Sequence, residues 1–304
     1  VITGKDPAGY SVKANGDRYV GKNLIIATGS ESVLPPIEGL RESLNSGFAV
    51  TNRELLFSCE APKRLVVVGG GVIGLEMASY YQMTGTAVTV VEMMDHIAGP
   101  CDKDLVKLLQ KNYERGGMRF ELNACVKVIG NSRVLCQRGG ETFDLEADRV
   151  LVALGRRPNS QDLGLESIGV LLENGAVRTD CHMRTSVPGI YAVGDINGKS
   201  MLAQVHTILG QKDTMSYRAI PSVLYTIPEL SSVGLTEEEA KAQGLDVAVV
   251  RIPMAYSGRY VAENENGDGI FKLVIDKKLR TVVGAQVLAN YSSEFIAVVG
   301  IFIE

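Results

Sequence analysis

The chain has 304 residues, 45% of them hydrophobic, and a formal net charge of −4. That length predicts two or three domains with ample material for buried cores, and the mild acidity points away from nucleic acid or a membrane surface as a partner. No apolar run approaches the ~18 residues of a membrane span, and the opening Val1-Ile2-Thr3-Gly4-Lys5 is no signal peptide, so it reads as internal to a longer polypeptide.

In chain order, Tyr10, Val12, Tyr19 and Val20 alternate around Asn15-Gly16-Asp17, which predicts a hairpin. Leu24–Ala27 follows as a fully buried strand with Thr28-Gly29-Ser30 as a turn at its carboxyl end, where ligands sit in open α/β sheets. Pro35-Pro36 breaks this pattern, and the stretch to Pro62 reads as a loop-rich connection with one short helix near Arg53–Phe57.

The strongest motif comes next. A strand, Arg64–Val68, runs into Gly69-Gly70-Gly71-Val72-Ile73-Gly74-Leu75-Glu76, followed by a helix to about Gly85. Gly69, Gly71 and Gly74 have the spacing of a dinucleotide pyrophosphate loop. The first permits a tight turn, the second lets phosphate reach the backbone, and the third lets helix and strand pack closely. A second strand, Ala87–Val91, ends in Glu92, 18 residues after Gly74. A carboxylate there accepts from a ribose 2′-hydroxyl and repels a 2′-phosphate. Its neighbours Met93, Met94 and Asp95 include no arginine, so NAD is expected over NADP. A glycine-rich turn with no ligand is the plainer alternative.

Asp102 opens a helix of about 14 residues that Gly116-Gly117 ends. Strands near 118–122, 124–129 and 133–137 follow, and Val150–Leu154 then runs into Gly155-Arg156-Arg157-Pro158-Asn159. This echoes Leu24–Ser30 and suggests two related nucleotide-binding units. A third glycine-punctuated strand reaches Ile190–Gly194-Asp195, where the carboxylate is placed either to accept from a ribityl or ribose hydroxyl or to serve as an ordinary turn aspartate. From Thr214 strands dominate: Ser222–Thr226, Leu230–Gly234, Val247–Ile252, Gly269–Ile275 and Thr281–Leu288. Thr236 and Glu239 form a capping box for a short helix to about Gln243. An apolar helical pattern through Phe295, Ile296, Val299 and Phe302 closes the sequence.

The five cysteines, Cys59, Cys101, Cys125, Cys136 and Cys181, are odd in number and lack paired spacing, which predicts a reducing, cytoplasmic setting. Cys101, just before the helix that Asp102 opens, is the candidate for a lowered thiol pKa. His96, His182 and His206 have no metal-ligand spacing.

Taken together, Ile26–Ser30, Gly69–Glu76, Val91-Glu92, Gly155–Asn159, Ile190–Asp195 with Met201-Leu202-Ala203, and Ile220–Thr226 resemble, in order, the flavoprotein disulfide reductases, most closely the dihydrolipoamide dehydrogenase branch. The resemblance implies an α/β fold: two Rossmann-like units, the FAD part incomplete, plus an antiparallel-sheet interface domain. The implied boundaries are 1–61 and 181–213 for FAD, 62–180 for NAD and 214–304 for dimerisation. It implies FAD against Thr28, Gly29, Ser30, Asp195, Met201, Leu202, Ala203 and Gln204. It implies NAD against Gly69, Gly70, Gly71, Val72, Ile73, Gly74, Glu76, Glu92, Val126 and Gly155. The implied partners are a second copy of the chain and a lipoyl-bearing protein of a 2-oxo acid dehydrogenase or glycine cleavage complex.

Three departures accompany the resemblance. The family's N-terminal FAD glycine loop and Cys-x-x-x-x-Cys pair are not in these residues, nor is its C-terminal His-Pro motif. Gln204 stands where a histidine is usual, and Val205–Leu209 is too short for the helix expected beside the flavin. The implied activity passes electrons from a dithiol through a disulfide and FAD to NAD, and these residues alone are expected to be inactive. Mercuric reductase, NADH oxidase, coenzyme A-disulfide reductase and a silent NAD-binding module stay open as alternatives.

Overall fold

A computed structural model describes residues 1–199, 219–264 and 268–303. Two compact units emerge. One comprises Val1–Val33 and residues 156–199 among those described; the other comprises Leu34–Gly155 and residues 219–303. The expected boundary at 61/62 does not coincide with this grouping. Ala49–Val50 pairs in parallel with Arg149–Val152, so 34–61 packs with the glycine-loop unit. The expected boundary at 180/181 is likewise not a contact boundary, because Arg156–Pro158 pairs antiparallel with Ser30–Ser32.

The first unit opens on a meander of Ile2–Asp6, Gly9–Ala14 and Asp17–Gly21. Its second turn has positive φ at both Asn15 (51°) and Gly16 (93°), the twist that lets a two-residue hairpin close. Leu24–Ile26 then pairs in parallel with Ile190–Ala192. Ile26, Ile190, Ala192, Tyr10 and Leu165 share an apolar cluster, and the Tyr10 hydroxyl donates to the Pro188 carbonyl. The fully buried strand expected at Leu24–Ala27 is buried on one side only: Ile26 is enclosed, whereas Ile25 is 43% exposed. Among the described residues its sheet has two strands, too few to cover both faces.

The second unit is built on a five-stranded parallel sheet in the order Ala49–Val50, Arg149–Val152, Arg64–Val68, Ala87–Val91, Arg119–Glu121. Near-continuous runs such as Leu65-Val66-Val67-Val68 are what a sheet covered on both faces needs. The helices Val72–Met83 and Lys103–Arg115 bury Leu75, Ala78, Leu105 and Leu109 against one face. The opposite face receives helix Leu40–Ser46 and an antiparallel trio, Cys125–Gly130, Arg133–Arg138 and Glu141–Glu146. The helix Leu40–Ser46 and the strand Glu141–Glu146 were not legible in the sequence. The helix is short and flanked by left-handed glycines, and the strand alternates polar residues with only Phe143 and Leu145.

A second five-stranded sheet, all antiparallel, runs Ser222–Leu224, Glu229–Gly234, Thr281–Ala289, Ile270–Asp276, Val247–Pro253. The capping box is formed as expected, with the Glu239 Nα–H donating to the Thr236 hydroxyl and the Thr236 Nα–H donating to the Glu239 carboxylate. Leu224, Leu230 and Leu288 join Leu75, Leu105 and Leu109 in one core, so this sheet and the glycine-loop sheet pack together. No helix among the described residues is long and apolar enough to cross a membrane.

Candidate functional site

The glycine loop lies at the carboxyl end of Arg64–Val68, and its three spaced glycines have three different environments. Gly69 has φ 106°, and a Cβ there would strike the Ala153 carbonyl. A Cβ on Gly74 would strike the Gly69 carbonyl oxygen, so the helix sits as close to the turn as a backbone permits. Gly71 caps the helix in extended conformation and has nothing within 4 Å of the place a Cβ would occupy. The loop is thus tight at its first and third glycines and open at its second. The first N–H groups of the helix face this opening without intrahelical acceptors, together with the positive end of the helix dipole.

Glu92 reaches back onto the loop. Its Oε2 accepts from the Gly70 N–H at 2.7 Å and its Oε1 from the Met94 N–H at 2.8 Å. The main chain around it is fixed on the other side: the Glu92 N–H donates to the Glu121 carbonyl (3.0 Å), and the Ala124 and Asn123 N–H groups donate to the carbonyls of Glu92 and Met94 (3.0 Å each). The Ala98 N–H closes the surround by donating to the Gly70 carbonyl at 2.8 Å. Val126, two residues beyond Ala124, is half-buried opposite Cys136. Gly155 lies just past the neighbouring strand with φ 96° and open space where a side chain would be. The glycine loop, Glu92 and Gly155 therefore share the carboxyl ends of adjacent parallel strands.

On the helix, Val72 is exposed and Ile73 half-buried. Glu76 is half-buried, and its Oε1 accepts from the Tyr225 N–H at 3.0 Å. Burial pushes the Glu76 carboxyl above the ordinary glutamate value, the hydrogen bond only partly opposing it. One turn on, the Ser79 hydroxyl accepts from the Ile227 N–H at 3.2 Å.

The first unit assembles a separate polar cluster. The Ser30 hydroxyl donates to Asp195. Arg156 donates from Nε to the same Ser30 oxygen at 2.7 Å and from Nη2 to the Ser30 carbonyl at 2.6 Å. The Thr28 hydroxyl donates to the Asn159 carbonyl at 2.9 Å, and the Asn159 N–H returns a bond to Gly29 (2.9 Å). Thr28–Ser30 and Asp195, distant in sequence, are thus brought together. The sequence signal for Arg156 is weak: a charged residue beside Gly155, shortly after the buried strand Arg149–Val152. Met201, Leu202, Ala203 and Gln204, and the short Val205–Leu209 stretch, lie outside the described residues.

Cys101 overturns its expectation. It packs against the apolar core, and burial followed by the nearby Asp102 charge pushes its thiol up to about 11. The helix start that lowers a thiol in the open is outweighed here by desolvation.

Residues 3–208 match the profile of the pyridine nucleotide-disulphide oxidoreductases, and residues 220–304 match that family's dimerisation domain. A dihydrolipoyl dehydrogenase of Geobacillus stearothermophilus is 38% identical over 308 residues, covering 95% of this chain and 64% of the relative. One from Bacillus subtilis is 36% identical, covering 94% and 63%. Among solved structures, the Cu(II) complex of an HOCl-induced flavoprotein disulfide reductase from Escherichia coli superposes with a TM-score of 0.85 at 28% identity, over 93% of this chain and 68% of that one. LpdA from Mycobacterium tuberculosis gives 0.84 at 25% identity, over 100% and 69%. The chain spans a little under two-thirds of the length of the curated relatives it matches.

Proposed function

Because the chain belongs to the pyridine nucleotide-disulphide oxidoreductase family, we propose that its glycine-loop unit binds NAD(H) in preference to NADP(H). In the same reading it serves a dihydrolipoyl dehydrogenase that oxidises a dithiol, working as a homodimer with a lipoyl-bearing protein as substrate. The observation that carries this is the Glu92 carboxylate held against the Gly70 N–H at 2.7 Å, beside a loop that is open at Gly71.

Each residue has a distinct task. Gly71 leaves the main chain open to a pyrophosphate, and the first helical N–H groups beyond it donate to that anion. Glu92 exchanges its present backbone bonds for ribose hydroxyls and repels a 2′-phosphate by charge. Val126 and Gly155 border the rest of the nucleotide. Val72, Ile73 and Glu76 flank the nicotinamide end, where a carboxyl raised by burial is suited to hydrogen-bonding an amide. In the first unit, Asp195 would hold a ribityl hydroxyl of FAD, kept in position by Ser30 and Arg156. When bound, the two cofactors supply the hydride and electron chemistry, and the protein supplies orientation.

Titration with NADH and NADPH tests the reading directly. NADH is expected to bind at least ~10-fold tighter, the size of a single lost charge-assisted contact, and Glu92→Ala should narrow that ratio. NADPH binding as tight as NADH would overturn it.

A further inference from the structure

We propose that Met93 and Met94 form an oxidation-sensitive rim of the nucleotide site, so that peroxide weakens NADH binding by converting their thioethers to sulfoxides. The inference rests on the nucleotide reading of the glycine loop. Both side chains are unusually open for methionine, 71% and 52% exposed, and they immediately follow Glu92. Their backbone, by contrast, is fixed. Glu92 accepts from the Gly70 and Met94 N–H groups (2.7 and 2.8 Å), and the Met94 carbonyl accepts from the Asn123 N–H at 3.0 Å. The two exposed thioethers therefore extend from a fixed backbone at the carboxyl end of the parallel sheet, directly after the carboxylate that would hold an adenosine ribose.

Methionine there has a defined use. A flexible, polarisable thioether packs on an aromatic face and adapts to it. Oxidation removes that property. A sulfur lone pair attacks the peroxide oxygen, an S–O bond forms as the O–O bond breaks, and water leaves. The thioether is oxidised by two electrons and the peroxide is reduced. The product is polar and carries a partly negative oxygen, set beside the Glu92 carboxylate. An apolar rim becomes one that prefers water to a purine face.

The molecule contains its own comparison. Met83, at the far end of the glycine-loop helix, is 64% exposed and is equally open to peroxide. Met118 and Met183 are buried and should react slowly. Cys59 and Cys181 are exposed and also react, but dithiothreitol reverses reversible thiol oxidation and leaves sulfoxides in place.

The test uses the full chain treated with hydrogen peroxide, then dithiothreitol, with peptide mapping to count sulfoxides and NADH titration to measure the Kd. The expected result is a rise in Kd of about two- to tenfold that tracks oxidation at Met93 and Met94. Treatment with methionine sulfoxide reductases A and B should reverse it. The Met93→Leu/Met94→Leu variant should bind NADH and keep its Kd through the same treatment, while Met83→Leu should remain sensitive. An unchanged Kd with both residues oxidised, or a loss that persists in the double leucine variant, would overturn the proposal. Failure of the untreated protein to bind NADH would instead strike the nucleotide reading, and this inference with it.

Discussion

At the scale of single residues, the glycine loop separates two demands that the sequence pattern states together. Gly74 is required by packing, because a Cβ would enter the Gly69 carbonyl. Gly71 is not required by the fold, since the space beside it is open and its backbone is extended. Two alanine substitutions should therefore behave differently. Gly74→Ala should destabilise the unit by about 1–3 kcal/mol through forced backbone movement. Gly71→Ala should cost under about 1 kcal/mol as a change of helix cap, yet weaken NADH binding by roughly tenfold or more by displacing the pyrophosphate. Chemical denaturation paired with NADH titration distinguishes them. Equal stability losses would mean that the fold requires Gly71 as well, and an unchanged NADH affinity in Gly71→Ala would remove its role for a ligand. The loop was legible in the sequence because its three glycines sit at a fixed local spacing between a strand and a helix, even though the atom that excludes a side chain at Gly69 belongs to the distant Ala153. The Ser30–Arg156–Asp195 cluster was only half legible. Its members are 126 and 165 positions from Ser30, and no spacing rule connects them.

At the scale of elements, the helix Lys103–Arg115 is fastened to the antiparallel sheet at both ends. Asp102 caps it through Oδ1, which accepts from the Asp104 N–H at 3.0 Å, while Oδ2 accepts from Lys272 at 2.6 Å. The Lys272 side chain is 3% exposed and also contacts Asp104 (3.4 Å) and Glu237 (3.2 Å). At the other end Arg115 meets Asp268 at 2.8 Å. Lys272→Met should lower unfolding free energy by about 3–5 kcal/mol, because it leaves the buried Asp102 carboxylate without its cation. A denaturant midpoint unmoved by this change would refute the buried-clamp account. The same cluster sets an acid limit. Hydrogen bonding to Lys241, then to Lys272, holds Glu237 down to about 2. A carboxyl depressed in the folded state stabilises fully above its unfolded value near 4.5 and loses that contribution as pH falls towards 2. Glu237→Gln should flatten the stability profile across that interval. The sequence held one unread sign of this clamp, a lone lysine on the inward face of an apolar strand, with Lys272, Val274 and Asp276 all buried.

At the scale of the whole molecule, the terminal helix Ser292–Ile301 buries Ile296 and Gly300 against the antiparallel sheet. Its other side leaves Val298, Ile301 and Phe302 exposed at 53%, 73% and 70%. These positions are three and four apart and so share a face. An apolar face of this kind, within a segment matching a dimerisation domain, is expected to meet a second copy of the chain. Sedimentation should show a dimer for the parent chain, and Ile301→Glu with Phe302→Glu should shift it to monomer without loss of helical signal. The succession of motifs and the fold class could be read from the sequence, because strands buried on both faces and glycine turns leave local traces. The grouping of 34–61 with the glycine-loop unit could not, since it depends on the two-residue strand Ala49–Val50 finding a partner near residue 150.

The division of the chain also bears on how it acquires its structure. The first unit is discontinuous, its two segments separated by residues 34–155. Its parallel pair, Leu24–Ile26 with Ile190–Ala192, therefore closes a loop that contains most of another unit. Loop closure through an unfolded chain of that length is entropically unfavourable and slow. Closure through a chain already collapsed into the glycine-loop sheet spans a much shorter effective distance. The glycine-loop unit is thus expected to form before its neighbour's parallel pair closes, and a core lesion in it should surface as delayed strand pairing in the first unit, measurable by stopped-flow refolding.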